Sequence, residues 1–282
     1  MSVSKPAGTA GPIVTSDDAL RLLDEMTVMV AAAAAATLAT PVSEIERRIK
    51  PDLSPVTAAD EASEAAILEG LSRLLPSLPV IAEESAAQAP ARPARSFAIV
   101  DPLDGTKEFL AGRDEFTVNL AIVTDGVPVA GIIAAPKRGL VWRGVAGNKA
   151  DRLRMRWDEP ARAERAAIHT RPAPERLVVA TSRSHLDPRT EEFLARLPVG
   201  QRYACGSSVK FCQVAEGAAD LYPRLAPTRE WDIAAGCAIL AAAGGAVTDP
   251  QGGPLRFGAI ENQFLVPGFI AWGDPAMARR VK

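Results

Sequence analysis

The hexapeptide Asp101-Pro102-Leu103-Asp104-Gly105-Thr106 closes a short apolar run, Phe97 to Val100, and constrains this chain more than any other stretch. It sets two carboxylates three residues apart with the Leu103 carbonyl between them. Hard divalent cations such as Mg²⁺ want such an oxygen-only donor set. Asp104-Gly105-Thr106 then leads into a helix start, whose free backbone N–H groups bind anions, phosphate above all. One strand end thus offers both halves of a metal–phosphate site. Alone it would read equally well as a strand and a turn, because D-P and D-G are ordinary turn dipeptides.

Four other segments offer compatible groups. They are Glu83-Glu84-Ser85 after the apolar run Leu78 to Ala82, Asp60 at the end of Ser54 to Asp60, Trp231-Asp232 opening an Ala-rich stretch, and Gly206-Ser207-Ser208-Val209-Lys210. Each has a plainer reading by itself. Paired Glu usually marks a solvated loop. Asp60 and Asp232 suit helix starts, where a side-chain oxygen satisfies orphan N–H groups. Ser207 suits an N-cap, and Lys210 suits the surface. It is the five together, in this order, that outweigh the plain readings.

In that order the segments resemble the inositol-monophosphatase-like, lithium-sensitive, metal-dependent phosphatases, whose pattern is an upstream Asp, E-E, D-P-[LI]-D-G-T and a later W-D. Within that superfamily the chain is most similar to the CysQ-type 3′(2′),5′-bisphosphate nucleotidases. That likeness rests on D-P-L-D-G-T-K-E-F (Asp101 to Phe109), E-F-T-V-N (Glu115 to Asn119) and S-R-S-H (Ser182 to His185). It rests also on G-S-S-V-K-F-C-Q-V-A-E-G (Gly206 to Gly217) and L-Y-P-R (Leu221 to Arg224). It covers nearly the whole chain after Ser16.

The resemblance implies a layered α-β-α-β-α sandwich, α+β in its first half and α/β in its second, with the site between the halves. It implies two Mg²⁺ ions and inhibition by Li⁺ and excess Ca²⁺. Glu83, Asp101 and the Leu103 carbonyl would hold one ion, Asp101, Asp104 and Asp232 the other, and Glu83 would face a weaker third. Asp60 and Thr106 would be the catalytic pair, the Thr106 hydroxyl orienting the attacking water and bonding to Asp60. The N–H groups of Gly105 and Thr106 would receive phosphate oxygens.

Physical chemistry supports the metal. Two carboxylates 4 Å apart repel by about 4 kcal/mol at an effective dielectric of 20, so five that converge need cations. Imidazole and thiolate donors are missing from the set, which favours Mg²⁺ over Zn²⁺. Phosphate monoester hydrolysis needs a very large barrier reduction, and two metals clamping the attacking and leaving oxygens can supply it.

A formal net charge of −2 argues against a partner such as duplex nucleic acid. Three cysteines, Cys205, Cys212 and Cys237, without C-x-x-C spacing suit free thiols in a reducing cytoplasm. Two histidines, His169 and His185, give no basis for a His-rich metal site, and His185 reads as structural. No basic n-region and apolar core open the chain, so no secretory leader is expected. The apolar stretch Met26 to Ala39 is shorter than the ~20 residues a membrane span needs; peripheral association with the inner membrane and the oligomeric state stay open. Alanine's helix propensity makes Ala31 to Ala36 the close-packed face of a buried helix.

Along the chain, residues 1–14 read as disordered, 15–165 as the N-terminal half with most metal ligands, and 166–282 as the C-terminal half with Asp232. Helices are expected over 16–40, 60–75, 188–197, 208–216 and 231–243. Strands are expected over 80–82, 97–100, 117–123, 127–134, 140–146, 177–181 and 201–204, with Asp125-Gly126 as a hairpin turn. The charged tract Asp151 to Arg165 reads as the boundary.

The metal motifs are common to inositol monophosphatases, fructose-1,6-bisphosphatases and bisphosphate nucleotidases, so the C-terminal segments must choose the substrate. Ser207, Ser208, Lys210 and Arg224 could hold a second phosphate, completing a contact set with Glu83, Leu103, Asp104, Gly105, Thr106 and Asp232. Hydrolysis of adenosine 3′,5′-bisphosphate to AMP, serving sulfate assimilation, is therefore expected. An inositol-1-phosphatase or other sugar-phosphate phosphatase is the alternative. A catalytically silent metal- or nucleotide-binding regulator is a third, and the Asp60–Thr106 pair argues against it.

Overall fold

Alternate residues of the long central strands point into two different cores, and that alternation fixes the layers. The computed structural model describes residues 12–40, 48–49, 55–88, 94–183 and 187–280. The larger sheet runs in the order β3 (Val80–Ala82), β4 (Ser96–Asp104), β5 (Thr117–Thr124), β6 (Val127–Ala135), β7 (Leu140–Val145), β8 (Ala150–Arg154) and β9 (Glu164–Ala167). β3 pairs parallel to β4, and the remaining pairs are antiparallel. Ala98, Val100, Val118, Leu120, Ile122 and Ile132 face one core, while Phe97, Ile99, Ala121, Val123, Ile133 and Trp142 face the other.

The first core is closed by α1 (Ser16–Arg21), α2 (Leu23–Ala39) and α3 (Ala58–Leu74). The alanine run is close-packed only in part: Ala31, Ala33 and Ala34 are buried, Ala35 and Ala36 are half-buried and Ala32 is exposed. At Gly70 of α3 a Cβ would stand 2.4 Å from the Met29 side chain, so the two helices touch there.

The second core holds α6 (Val209–Ala215) and α7 (Glu230–Ala242) between two sheets. The far sheet has the order β11 (Val199–Cys205), β10 (Leu177–Ser182), β12 (Leu221–Arg224), β16 (Phe269–Trp272) and β14 (Ala246–Thr248). Its outer face is covered by α5 (Pro188–Ala195) and α8 (Pro275–Ala278) through Leu194, Phe193 and Met277. The result is the α-β-α-β-α sandwich. Two short pairs remain: β1 (Arg48–Ile49) with β2 (Pro55–Val56), and β13 (Thr228–Arg229) with β15 (Leu265–Val266).

Several expectations are corrected. The first helix breaks at Leu22 into α1 and α2. The expected disorder of residues 1–14 falls mostly outside the described residues, yet Val14 is buried, donating its N–H to Ser96 Oγ at 3.0 Å. The charged tract at 151–165 holds most of β8 and the start of β9, the edge of the larger sheet, where charged side chains commonly protect exposed strand groups. β12, β14 and β16 were not foreseen, because each is only three or four residues long. Among the described residues no helix is long and apolar enough to cross a membrane.

Candidate active site

The strand expected to end at Val100 continues to Asp104, and its pairing with β5 shifts register between Asp101 and Asp104. Pro102, lacking an N–H, fits this irregular point. Asp101 is buried at 1% exposure and takes the Leu103 N–H at 3.0 Å. From α3, Ser63 Oγ donates to the Pro102 carbonyl at 2.7 Å. Ala59, Leu103, Phe109 and Phe116 form a small apolar cluster that seats α3 against the same turn. Gly105, at φ 94°, makes the left-handed turn into α4 (Thr106–Leu110).

Asp60 is the third residue of α3 and accepts both the Thr57 N–H at 2.8 Å and the Thr57 hydroxyl at 2.5 Å, a capping box. Asp232 holds the equivalent place in α7, accepting the Arg229 N–H at 3.1 Å and the Thr228 hydroxyl. Both helix-start readings are thus realised, and Asp232 also lines the cavity. The hydrogen bond drawn from the Thr106 hydroxyl runs to the Leu103 carbonyl at 3.3 Å, where a bond to Asp60 was expected.

Glu83 follows β3 and donates its N–H to the Val100 carbonyl at 3.1 Å. The Glu84 N–H goes to Glu64 Oε2 at 3.0 Å, so a buried acid on α3 fixes the Glu83-Glu84 turn. No motif marks Glu64. Its one sequence signal is a helical spacing of four residues from Asp60.

A cavity of about 730 Å³ is lined by Glu83, Asp104, Thr106 and Asp232 and also by Lys210, Arg224 and Arg229. Burial, then Glu83, Asp104 and Asp232, push the Asp101 carboxyl well above its usual range. Burial and then Asp232 raise Asp104 to about 7, while Lys210, Arg224 and the Ser208 N–H oppose the rise. The two acids therefore sense their carboxylate neighbours directly. Among the described residues no three His, Cys, Asp or Glu side chains close into a finished ligand cage. Mutual repulsion keeps such acids apart, and the buried, proton-holding oxygens are a donor set that fits a hard cation.

Ser207, Ser208, Lys210 and Arg224, the expected substrate contacts, all line the cavity. The Ser208 hydroxyl is turned inward, onto Asn119 Oδ1 at 2.7 Å and the Thr117 hydroxyl at 2.8 Å. Lys210 is no surface charge: it is 2% exposed, reaches the Cys205 carbonyl at 3.2 Å and the Ser207 carbonyl, and lies 5.1 Å from the Tyr222 ring centre. Arg224 Nη2 donates to the Pro227 carbonyl at 3.0 Å, and its buried Nε has no hydrogen-bond partner among the described residues. Ser207 lines the cavity in a left-handed conformation, φ 50°. Arg229, which the motif reading passed over, donates to the Gln263 carbonyl at 2.6 Å and lies over Trp231 at the rim. Its signal was available in T-R-E-W-D, a cation two residues before the tryptophan. His185 lies outside the described residues.

Such a carboxylate pocket at a bulged strand end can be compared with known proteins. The model of the inositol monophosphatase family matches residues 20–276. The chain belongs to this family. Its enzymes are metal-dependent phosphatases. The 3′(2′),5′-bisphosphate nucleotidase CysQ of Escherichia coli K12 is 45% identical over 221 residues, covering 78% of this chain and 86% of its own length. That of Salmonella typhimurium is 46% identical over 224 residues, with the same coverage. The crystal structure of CysQ from Bacteroides thetaiotaomicron superimposes with a TM-score of 0.72 at 34% identity, covering 91% of this chain and 97% of its own. An inositol monophosphatase from Zymomonas mobilis superimposes with a TM-score of 0.70 at 27% identity, covering 92% and 96%.

Proposed function

We propose that the chain is a 3′(2′),5′-bisphosphate nucleotidase, releasing the 3′-phosphate of adenosine 3′,5′-bisphosphate to leave AMP. One observation carries this reading: a single cavity is lined both by carboxylates, Glu83, Asp104 and Asp232, and by cations, Lys210, Arg224 and Arg229. A bisphosphate has a phosphate left over once the scissile one is engaged, and a guanidinium suits it. An inositol monophosphate has less use for these cations. The CysQ relatives support the reading, which places the enzyme in clearing a by-product of sulfate assimilation. Three free thiols fit a reducing cytoplasm.

Glu83, Asp101, the Leu103 carbonyl, Asp104 and Asp232 would hold two Mg²⁺ ions, with Glu83 also facing a third. When bound, Mg²⁺ neutralises phosphoryl oxygens and acidifies water. The chain's own groups do the rest. The Thr106 hydroxyl donates a hydrogen bond to the Leu103 carbonyl, leaving its lone pairs to accept one from the attacking water. Asp60, anchored by Thr57 and seated beside that turn through Ala59, supplies the negative charge that draws the water's proton. Gly105 and Thr106 present N–H groups to the scissile phosphate, and the Arg224 guanidinium takes the remaining one. The test is kcat/KM for adenosine 3′,5′-bisphosphate, inositol 1-phosphate and fructose 1,6-bisphosphate side by side. A preference for inositol 1-phosphate would overturn the substrate.

A further inference from the structure

Glu115 and Arg183 belong to different sheets, Glu115 leading into β5 and Arg183 following β10, yet they meet in a two-pronged ion pair of 3.0 and 2.6 Å. Neither lines the cavity. Their remaining side-chain bonds fall on the two residues that flank Cys205: Arg183 Nη2 donates to the Ala204 carbonyl at 2.9 Å, and Glu115 Oε2 accepts the Gly206 N–H at 2.9 Å. Gly206 is pressed so close that a Cβ would stand 2.8 Å from Glu108 Cγ and 2.9 Å from the Glu115 carbonyl oxygen. Ser207 comes next, in its left-handed conformation. Such a conformation persists only where the surroundings over-determine it. The following residue is held independently, by Thr117 and Asn119 on the Ser208 hydroxyl.

We propose that Glu115 and Arg183 are positioning residues that set the Gly206–Ser207 wall of the cavity, and through it the grip on substrate. The acidic residues are not theirs to set, because Ser208, whose N–H faces Asp104, keeps its own anchors on β5. The pairing requires an arginine: its planar fork spans both carboxylate oxygens and still reaches the Ala204 carbonyl, which a lysine ammonium cannot do. It requires a carboxyl or amide oxygen at 115, because the Gly206 N–H must have an acceptor. The inference rests on the phosphatase reading of the site and names no further ligand.

The test compares Arg183→Ala, Arg183→Lys, Glu115→Gln and the reversed pair Glu115→Arg/Arg183→Glu in the purified full chain, each with its melting temperature. Arg183→Ala and Arg183→Lys should raise KM for adenosine 3′,5′-bisphosphate about tenfold, the loss of one charge-assisted bond, with kcat and half-saturating Mg²⁺ within about twofold. Glu115→Gln, which keeps an acceptor for Gly206, should fall between these and the parent. The reversed pair should recover melting temperature but not KM. Unchanged KM in both Arg183 variants, a joint fall of kcat and Mg²⁺ affinity, or full recovery of KM in the reversed pair would overturn the inference. If the parent enzyme prefers inositol 1-phosphate, the substrate reading falls, and the same KM comparison on that ester still decides the clamp.

Discussion

Asp101 stands where burial and three other carboxylates act on one side chain, so its charge should matter most to metal binding. Asp101→Asn keeps the shape and removes the charge. It should raise half-saturating Mg²⁺ by at least about tenfold and depress turnover with it, read by titrating Mg²⁺ against phosphate release. Near-normal turnover at ordinary Mg²⁺ would contradict the two-ion assignment. Thr106→Ala should behave differently, lowering kcat about a hundredfold while half-saturating Mg²⁺ stays put; a parallel loss of metal affinity would remove Thr106 from the water-orienting role. These residues were legible because metal ligation demands particular atoms at particular spacings. Glu64 was not, since its work is a single bond to the Glu84 N–H and a helix-face acid has no signature until its partner is known. The inward turn of Ser208 was hidden for the same reason: its acceptor, Asn119, is 89 residues away.

α7 shows how an element reads differently in sequence and in space. Its run of Ala, Gly and Ile is apolar on every side because a sheet lies on each face, and composition alone could not say which strand it meets. The contacts are made by glycines of the larger sheet. A Cβ at Gly131 would stand 2.3 Å from the Ala235 carbonyl oxygen, and one at Gly144 2.8 Å from the Ala242 Cβ. Gly131→Ala must push the helix away, at a cost of about 1–3 kcal/mol for overpacking. Asp232 sits in the first turn of that helix, so the variant should lose Mg²⁺ affinity as well as midpoint stability in urea. A stable variant with unchanged midpoint would show that the sheet yields instead. The long strands were legible from β-branched runs, and the hairpin from Asp125-Gly126. The short strands of the far sheet were not, because their length is set by the neighbours they pair with.

At the scale of the whole molecule, carboxylates from the β3 and β4 ends and from α7 line one pocket, so metal bound there should be linked to folding. In metal-free protein Asp104 has its pKa raised from 3.8 to about 7, and Asp101 is raised too. Between those values the folded protein holds protons that the unfolded chain has released, so stability must fall as pH rises through the window and level off above it. Acids with lowered pKa, such as Asp24 beside Arg143, contribute stability that is lost only as pH falls below about 4, outside this window. Mg²⁺ binds the deprotonated acids. Its stabilisation, about 2.7 kcal/mol at a hundred times Kd, should therefore be larger at pH 8 than at pH 5. Thermal melts in EDTA and in Mg²⁺ across that range check both signs. A metal-free melting temperature that climbs from pH 5 to 8, or a Mg²⁺ increment that shrinks, would mean that these carboxylates are already ionised and apart, and that they do not form a metal site.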